Sequence, residues 1–225
     1  FGIDASVITG LTTVVIDAED DNDGGAGATI TVSKLSDTQT VVVENANAEN
    51  DGTDDIRLTL TSATDTTTNV AGITLKGIGA VAAGASTTGI STITVDSIET
   101  VTLASSANAA GTVTTNGVEA LAASGTKTLT VTGAADLTIT AITNTTALTS
   151  VDASAATGKF SISGLDAAAL NFKAGSGQTT IDMAGLTAAD TIVGGASTKD
   201  ALNATAVTGL TATTGKLNVT GVETV

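Results

Sequence analysis

Two acidic segments in the first quarter of the chain carry the residue types from which calcium sites are built. The first segment, Asp17–Gly25, reads DAEDDNDGG, and Gly24 permits the sharp turn that such a loop needs. Its candidate ligands fall at alternate positions and are Asp17, Glu19, Asp21 and Asp23. Alternate carboxylates in a loop can converge on one hard cation. The segment therefore predicts a calcium site.

The second acidic segment, Asn47–Asp55, reads NAENDGTDD and repeats this pattern around Gly52. Its candidate ligands are Asn47, Glu49, Asp51 and Asp54. One loop of this kind is more often a solvated turn than a metal site. Two of them, in a chain with only 14% charged residues, favour calcium as the cofactor.

A third candidate, Asp190–Leu202, reads DTIVGGASTKDAL and is similar to the calcium-binding nonapeptide G-G-x-G-x-D-x-U-x. Asp190 and Asp200 are the predicted ligands, and Gly194 and Gly195 supply the turn. Ser197 stands where the inner glycine belongs, and ten residues rather than nine separate the two aspartates. Both departures weaken strict nonapeptide coordination.

The residue types that are missing exclude whole classes of chemistry. The chain has no His, Cys, Trp or Tyr, so it lacks the residues of His-dependent nucleophilic triads and of thiolate or imidazole metal sites. Only carboxylate and lysine chemistry remains, and no catalytic set stands out. We expect that the protein is not an enzyme. A carboxylate-based polysaccharide hydrolase or lyase would need paired acids in a cleft, and the sequence shows no such pair.

The formal net charge of −15 limits the possible partners. It opposes binding to nucleic acid and to anionic membrane surfaces, and no apolar run is long enough for membrane insertion. Divalent cations are the natural counter-charge.

Alternation of apolar residues with Thr predicts strands along most of the chain, for example Ala28–Leu35 and Ser91–Ser97. Strand-like starts recur every 8 to 15 residues in the second half. Few aromatic residues, many small ones and few hairpin turns favour an all-β, mostly parallel β-solenoid with short Gly/Asp loops; a string of β-sandwich domains is the alternative. We divide the chain into an acidic β region, residues 1–70, and a Thr/Ala/Gly-rich stack, residues 71–225, within one continuous segment of a longer protein.

Several strings give the chain a family resemblance. They are VDASAATG at Val151–Gly158, the run from Asp190 to Thr205, and the units SIETVTL at Ser97–Leu103 and GVETV at Gly221–Val225. The motif of these two units recurs as GVEALAA at Gly117–Ala123. In these units we expect the glutamate to face solvent. The strings resemble bacterial surface-layer proteins and calcium-dependent adhesins of the RTX type, similar to the Caulobacter-like Gram-negative surface layers.

The resemblance implies a secreted, extracellular protein that folds with calcium and self-associates into a two-dimensional lattice on the bacterial surface. Lipopolysaccharide of the outer membrane is an expected partner of another part of the parent chain. The alternative is a secreted adhesin that binds ice or glycan through its T-x-T units. The irregular spacing of strand starts predicts that a Thr ladder would be misaligned, which opposes ice binding.

Overall fold

A computed structural model describes residues 1–17, 29–44, 56–64, 68–80, 89–166, 169–205, 207–208 and 217–224. The described residues form β-strands joined by turns, with two short 3-10 turns at Ala5–Val7 and Thr145–Ala147. In these ranges, no helix has the length and apolar character needed to cross a membrane.

The strands alternate between two nine-stranded sheets, so that each coil of the chain contributes one strand to each sheet. Sheet A contains β1 Gly2–Asp4, β3 Thr29–Leu35, β5 Ile56–Ser62, β7 Ile90–Asp96, β9 Thr115–Ser124, β11 Asp136–Thr143, β13 Phe160–Leu165, β15 Thr179–Met183 and β18 Ala201–Ala204. Sheet B contains β2 Thr13–Asp17, β4 Thr40–Glu44, β6 Val70–Lys76, β8 Thr100–Ser106, β10 Thr128–Gly133, β12 Ser150–Ala156, β14 Asn171–Lys173, β17 Thr191–Val193 and β20 Asn218–Thr220. A third, two-stranded sheet pairs β16 Leu186–Thr187 with β19 Val207–Thr208.

Every pair of described strands is parallel, which confirms the predicted parallel β-solenoid. The β-sandwich alternative is wrong, because sandwich sheets are built from antiparallel strands. The proposed division after residue 70 falls inside β6, and both sheets continue past it through the β4–β6 and β5–β7 pairs.

The number of residues per coil changes along the stack. In sheet B, Thr40 pairs with Gly72, which lies 32 positions later, whereas Asn171 pairs with Thr191, only 20 positions later. Within the paired strands the register shifts by no more than one residue, so most of the change in coil length falls between the strands. The 8-to-15-residue spacing of strand starts thus corresponds to two strands per coil.

The core consists of columns of apolar residues that alternate with outward-facing polar residues. Along sheet A one such column is Val118, Ile139, Ile162, Ile181 and Leu202, all of them buried. In a parallel stack each side chain repeats the position of its partner one coil away, so branched aliphatic residues fill the narrow interior.

Two aromatic rings join the sheets inside the later coils. Phe160 of sheet A and Phe172 of sheet B are buried, and their rings stack with centroids 6.3 Å apart. This contact places two of the three Phe side chains between the two sheets.

The tight corner after β17 requires glycine. An added Cβ at Gly195 would overlap the backbone carbonyl of Gly175 in the preceding coil, and one at Gly194 would overlap the carbonyl of Gly221 in the next. Here the glycines allow three successive coils to stack backbone against backbone.

Candidate functional site

Most of the predicted calcium ligands lie outside the described residues. These are Glu19, Asp21, Asp23, Asn47, Glu49, Asp51 and Asp54. The two acidic segments that contain them nevertheless start from neighbouring points, because β2 ends at Asp17, β4 ends at Glu44, and these two residues are paired across sheet B. Paired strands lie about 4.8 Å apart. The chain therefore enters both acidic segments from the same edge of the solenoid.

Asp17 is exposed at the end of this ladder. Its neighbour Glu44 pairs in turn with Lys76 of β6, and the Lys76 Nζ lies 3.2 Å from Glu44 Oε2. The strand ends therefore carry the charge series Asp17, Glu44 and Lys76 across three coils. The positive charge of Lys76 balances only part of the negative charge carried by the two acidic segments.

Asp190 is buried, with 1% of its surface exposed, and its carboxylate is held by the backbone. Its Oδ1 accepts the N–H of Leu170 in the preceding coil at 2.7 Å, and its Oδ2 accepts the N–H and the hydroxyl of Thr187 at 2.7 and 3.0 Å. A buried carboxylate needs such donors. Asp190 therefore fastens the corner before β17 to the corner before β14.

Asp200 also joins successive coils by accepting backbone N–H groups, but beside the strands of sheet A. Its Oδ1 accepts the N–H of Thr179 at 2.8 Å and its Oδ2 accepts the N–H of Gly195 at 2.7 Å. The N–H of Asp200 itself donates to Glu223 Oε2 in the next coil at 2.6 Å. The Asp200 and Glu223 carboxylates thus each accept a backbone N–H from the preceding coil and so link three successive coils.

The same device recurs at other corners. Glu99 Oε2 accepts the N–H of Asn69 at 2.9 Å, and Asp37 and Asp136 each accept a backbone N–H from the coil that follows. Glu223 is exposed, as expected of the recurring glutamates, and Glu99 is half-buried. Their carboxylates reach the backbone of the neighbouring coil, and this shared capping explains why the SIETV and GVETV units are alike.

These bonds bear on the metal prediction at the third candidate. Asp190 and Asp200 cap different sheets, and both oxygens of each carboxylate already accept N–H groups. Among the described residues, no three Asp, Glu, His or Cys side chains group together as a metal site. Calcium binding at the two acidic segments after β2 and β4 stays a prediction.

The Thr residues of β8 and β10 are in register, so the expected misalignment is wrong for this pair, whereas Thr100 and Thr102 pair with Val70 and Gly72 on the other side. Thr100 and Thr102 of β8 pair with Thr128 and Thr130 of β10. The ladder is aligned because the corners absorb the irregular spacing. The row of Thr residues ends at β10, because Thr130 pairs with Asp152 in β12, the next strand of sheet B.

Among the acidic groups in the described part of the chain, Asp152 and Asp4 are those whose pKa the structure clearly lowers. The Ser154 hydroxyl and N–H donate to Asp152 Oδ1 at 2.6 and 3.0 Å and lower the pKa of that carboxyl. Hydrogen bonds from Lys34, 2.7 Å away, and from Ser6 lower the pKa of Asp4 from 3.8 to about 2. Both groups stay charged in mild acid.

A polar groove lies on the outer face of sheet A, and the sequence did not single out its residues. It has a volume of about 240 Å³ and lies over the starts of β11, β13 and β15, where Asp136, Lys159, Ser161 and Gln178 are among its lining residues. We call it the sheet A groove. The only signal in the sequence was that polar residues flank the first buried residue of each of these strands.

The fold and the corner caps define the class of the molecule as a two-sheet parallel β-solenoid with acidic caps between its coils. Comparisons of the chain with protein-family models, with curated proteins and with solved structures gave no match. The surface-layer resemblance therefore stays a prediction from the sequence.

Proposed function

We propose that the protein is a structural component of a bacterial surface layer, located outside the cell, whose copies self-associate into a calcium-stabilised two-dimensional array. The observation that carries the proposal is the regular solenoid, in which every coil repeats the parallel pairing of its neighbour. Such a repetitive body presents rows of outward-facing, mostly polar residues along its strands. Its role in this proposal is mechanical rather than catalytic.

The coil formed by β1 and β2 supplies a contact surface for a second copy. The coil formed by β1 and β2 exposes Phe1, Val7 and Val15 to 85%, 74% and 55% of their surface. Among the described residues only one further large apolar side chain outside this coil, Val193 at 37%, is exposed to a comparable degree. Clusters of exposed apolar residues are typical of protein contact sites.

Calcium supplies the second part of the proposal. Copies with a charge of −15 repel one another, and the repulsion is strongest where acidic residues concentrate. Two acidic segments leave from the paired strand ends at Asp17 and Glu44. Divalent ions at these segments reduce the repulsion and fix the geometry between copies. Lipopolysaccharide would be contacted by another part of the parent chain.

Imaging of the native assembly by electron microscopy tests the proposal, once with calcium and once after a chelator is added. We expect an ordered array that disperses on chelation and reforms when calcium returns. An array that survives complete removal of calcium would contradict the calcium mechanism. A full chain that forms no array under any condition would contradict the surface-layer function itself.

Two matched variants test the contact at the β1–β2 coil. Val15→Thr keeps a β-branched residue in β2 but reduces its apolar surface, and we expect it to raise the protein concentration needed for assembly. Val193→Thr makes the same change on β17, away from the first coil, and should leave assembly unchanged. Equal effects of the two substitutions would show that the first coil is not the contact.

A second candidate, a secreted adhesin that binds ice or glycan through a Thr-rich face, is favoured by the aligned T-x-T units of β8 and β10. Measurement of ice recrystallisation and of thermal hysteresis tests its ice-binding form. Loss of either activity in Thr102→Val together with Thr130→Val would support the adhesin over the surface layer.

A further inference from the structure

The sheet A groove is built from two polar rows that cross three consecutive coils. The register pairs Leu137 with Phe160 and Phe160 with Thr179. The residues just before them form the first row, which is Asp136, Lys159 and Gln178. The residues just after them form the second row, which is Thr138, Ser161 and Thr180. Ala80 and Thr115 line the end of the groove nearest β9.

The polar atoms of these rows are largely unused inside the protein. Asp136 accepts one hydrogen bond through Oδ1, from the N–H of Lys159 at 2.8 Å. The Lys159 ammonium, the Gln178 amide and the three hydroxyls of the second row make no hydrogen bond to another residue in the described part of the chain. They point donors and acceptors toward the groove and solvent.

A neighbouring column of the same sheet shows the contrast. Two positions farther along the strands, Asp182 Oδ2 accepts the Ser163 hydroxyl at 2.7 Å, and Asp182 Oδ1 accepts the Asn203 amide at 2.6 Å. That column satisfies its own polar groups across the coils. The groove rows do not, although they share β13 and β15 with that column, so their groups are available to a ligand.

The charge and spacing of the rows indicate the chemistry of that ligand. One carboxylate, Asp136, and one ammonium, Lys159, leave the groove with no net charge inside a strongly acidic protein. The rows repeat at about 4.8 Å from strand to strand, so they offer mixed donors and acceptors at a regular interval. The groove lies on a sheet face and not on an open edge, so it offers no backbone ladder to a peptide strand.

We propose that the sheet A groove binds an uncharged linear oligosaccharide, whose hydroxyl groups hydrogen-bond to the two rows and whose long axis crosses β11, β13 and β15. A sugar chain repeats donors and acceptors along its length and carries no charge to be balanced. Phe160 is buried in the core and offers no stacking surface, so binding depends on hydrogen bonds and is weak. This site is independent of array formation.

The test is a titration of the full isotope-labelled chain, followed by amide chemical shifts in nuclear magnetic resonance spectra. The probes are cellohexaose, laminarihexaose, mannohexaose and chitohexaose, with a pectic hexagalacturonate as the charged comparison. We expect at least one uncharged probe to give saturable shifts centred on Thr138, Ser161 and Thr180. Ser161→Ala and Gln178→Ala should each weaken its binding roughly fivefold, the effect of one ordinary hydrogen bond.

Thr74→Ala is the matched control, because it removes an outward hydroxyl from β6 of sheet B and should leave binding unchanged. Spectra of each free variant establish that its fold is retained. The proposal is overturned if no uncharged probe gives saturable shifts or if only the hexagalacturonate binds. It is also overturned if the shifts map to sheet B, or if both groove variants bind as tightly as the wild type.

Discussion

Substitution of Asp200 by Asn distinguishes a structural cap from a calcium ligand. In the structure the carboxylate bridges two backbone N–H groups, those of Thr179 and Gly195, at 2.8 and 2.7 Å. Asn keeps the shape and one oxygen but replaces the second oxygen by an NH2 group. One of the two N–H groups then faces a donor and loses its partner.

The expected cost follows from these two bonds. The retained bond changes from charge-assisted to neutral, and the lost bond leaves a buried N–H unsatisfied, which together destabilise the corner by about 2 to 4 kcal/mol. Removal of a buried charge offsets part of this loss. We therefore expect a destabilisation of about 2 kcal/mol at this corner.

Native-state hydrogen exchange measures this locally, which suits a solenoid whose coils need not unfold together. A loss of 2 kcal/mol corresponds to roughly 30-fold faster exchange through local opening. We expect this acceleration at the amides of Thr179 and Gly195 in Asp200→Asn. Asp96→Asn, at an exposed position of β7, is the control and should leave exchange at these amides unchanged.

The experiment is run with calcium and again with a chelator. If Asp200 is a cap, the acceleration is the same in both conditions. A difference between wild type and variant that appears only with calcium would refute the capping argument and assign Asp200 to a metal site. Unchanged exchange in both conditions would refute the magnitude derived from the two bonds.

Three further predictions concern packing and pH. Gly195→Ala should lower the free energy of unfolding by about 3 kcal/mol in chemical denaturation, because the added Cβ meets a backbone carbonyl that cannot move aside. For Gly185→Ala the added Cβ meets no atom closer than 4.0 Å, so the free energy of unfolding should change by less than about 0.5 kcal/mol. Phe172→Ala should cost about 3 to 5 kcal/mol in the same measurement, since it removes a fully buried ring, and a smaller loss would show that the two sheets close over the cavity. The Asp4 carboxyl should titrate near pH 2 in nuclear magnetic resonance spectra, and Lys34→Ala should move the midpoint of this titration back toward pH 3.8. The interactions of the Asp4 carboxylate therefore stabilise the first coil above about pH 4 and are lost as the pH falls toward 2.

The fold could be predicted from the sequence because its determinants are local. The alternation in Ser91–Ser97 and its equivalents specifies strands with one buried face, and small residues specify narrow coils. Coil length could not be predicted in the same way, because the corners between strands vary without any periodic signal. The aligned threonines of β8 and β10 show the consequence, since register is set by pairing and not by spacing along the chain.

The roles of the acidic residues were the hardest to predict. A carboxylate beside a glycine turn suits a cation and a backbone N–H equally well, and only the position of the neighbouring coil separates the two. Asp190 and Asp200 accept N–H groups because stacking brings a strand start within 2.7 to 2.8 Å of each. The groove residues were missed for a related reason: Lys159 and Gln178 are 19 positions apart and become neighbours only through the register.

The change in coil length has a consequence for the order of folding. Closing a loop of 32 residues costs about 0.4 kcal/mol more entropy than closing one of 20 residues, so each short coil between β12 and β17 forms its first pairing more readily than a long coil near β4. We expect the nucleus of folding to lie in the C-terminal half, with the longer coils adding to it as a template. The stack would then grow toward the N-terminus, opposite to the direction of synthesis. The N-terminal coils would stay unpaired until the C-terminal coils had been synthesised.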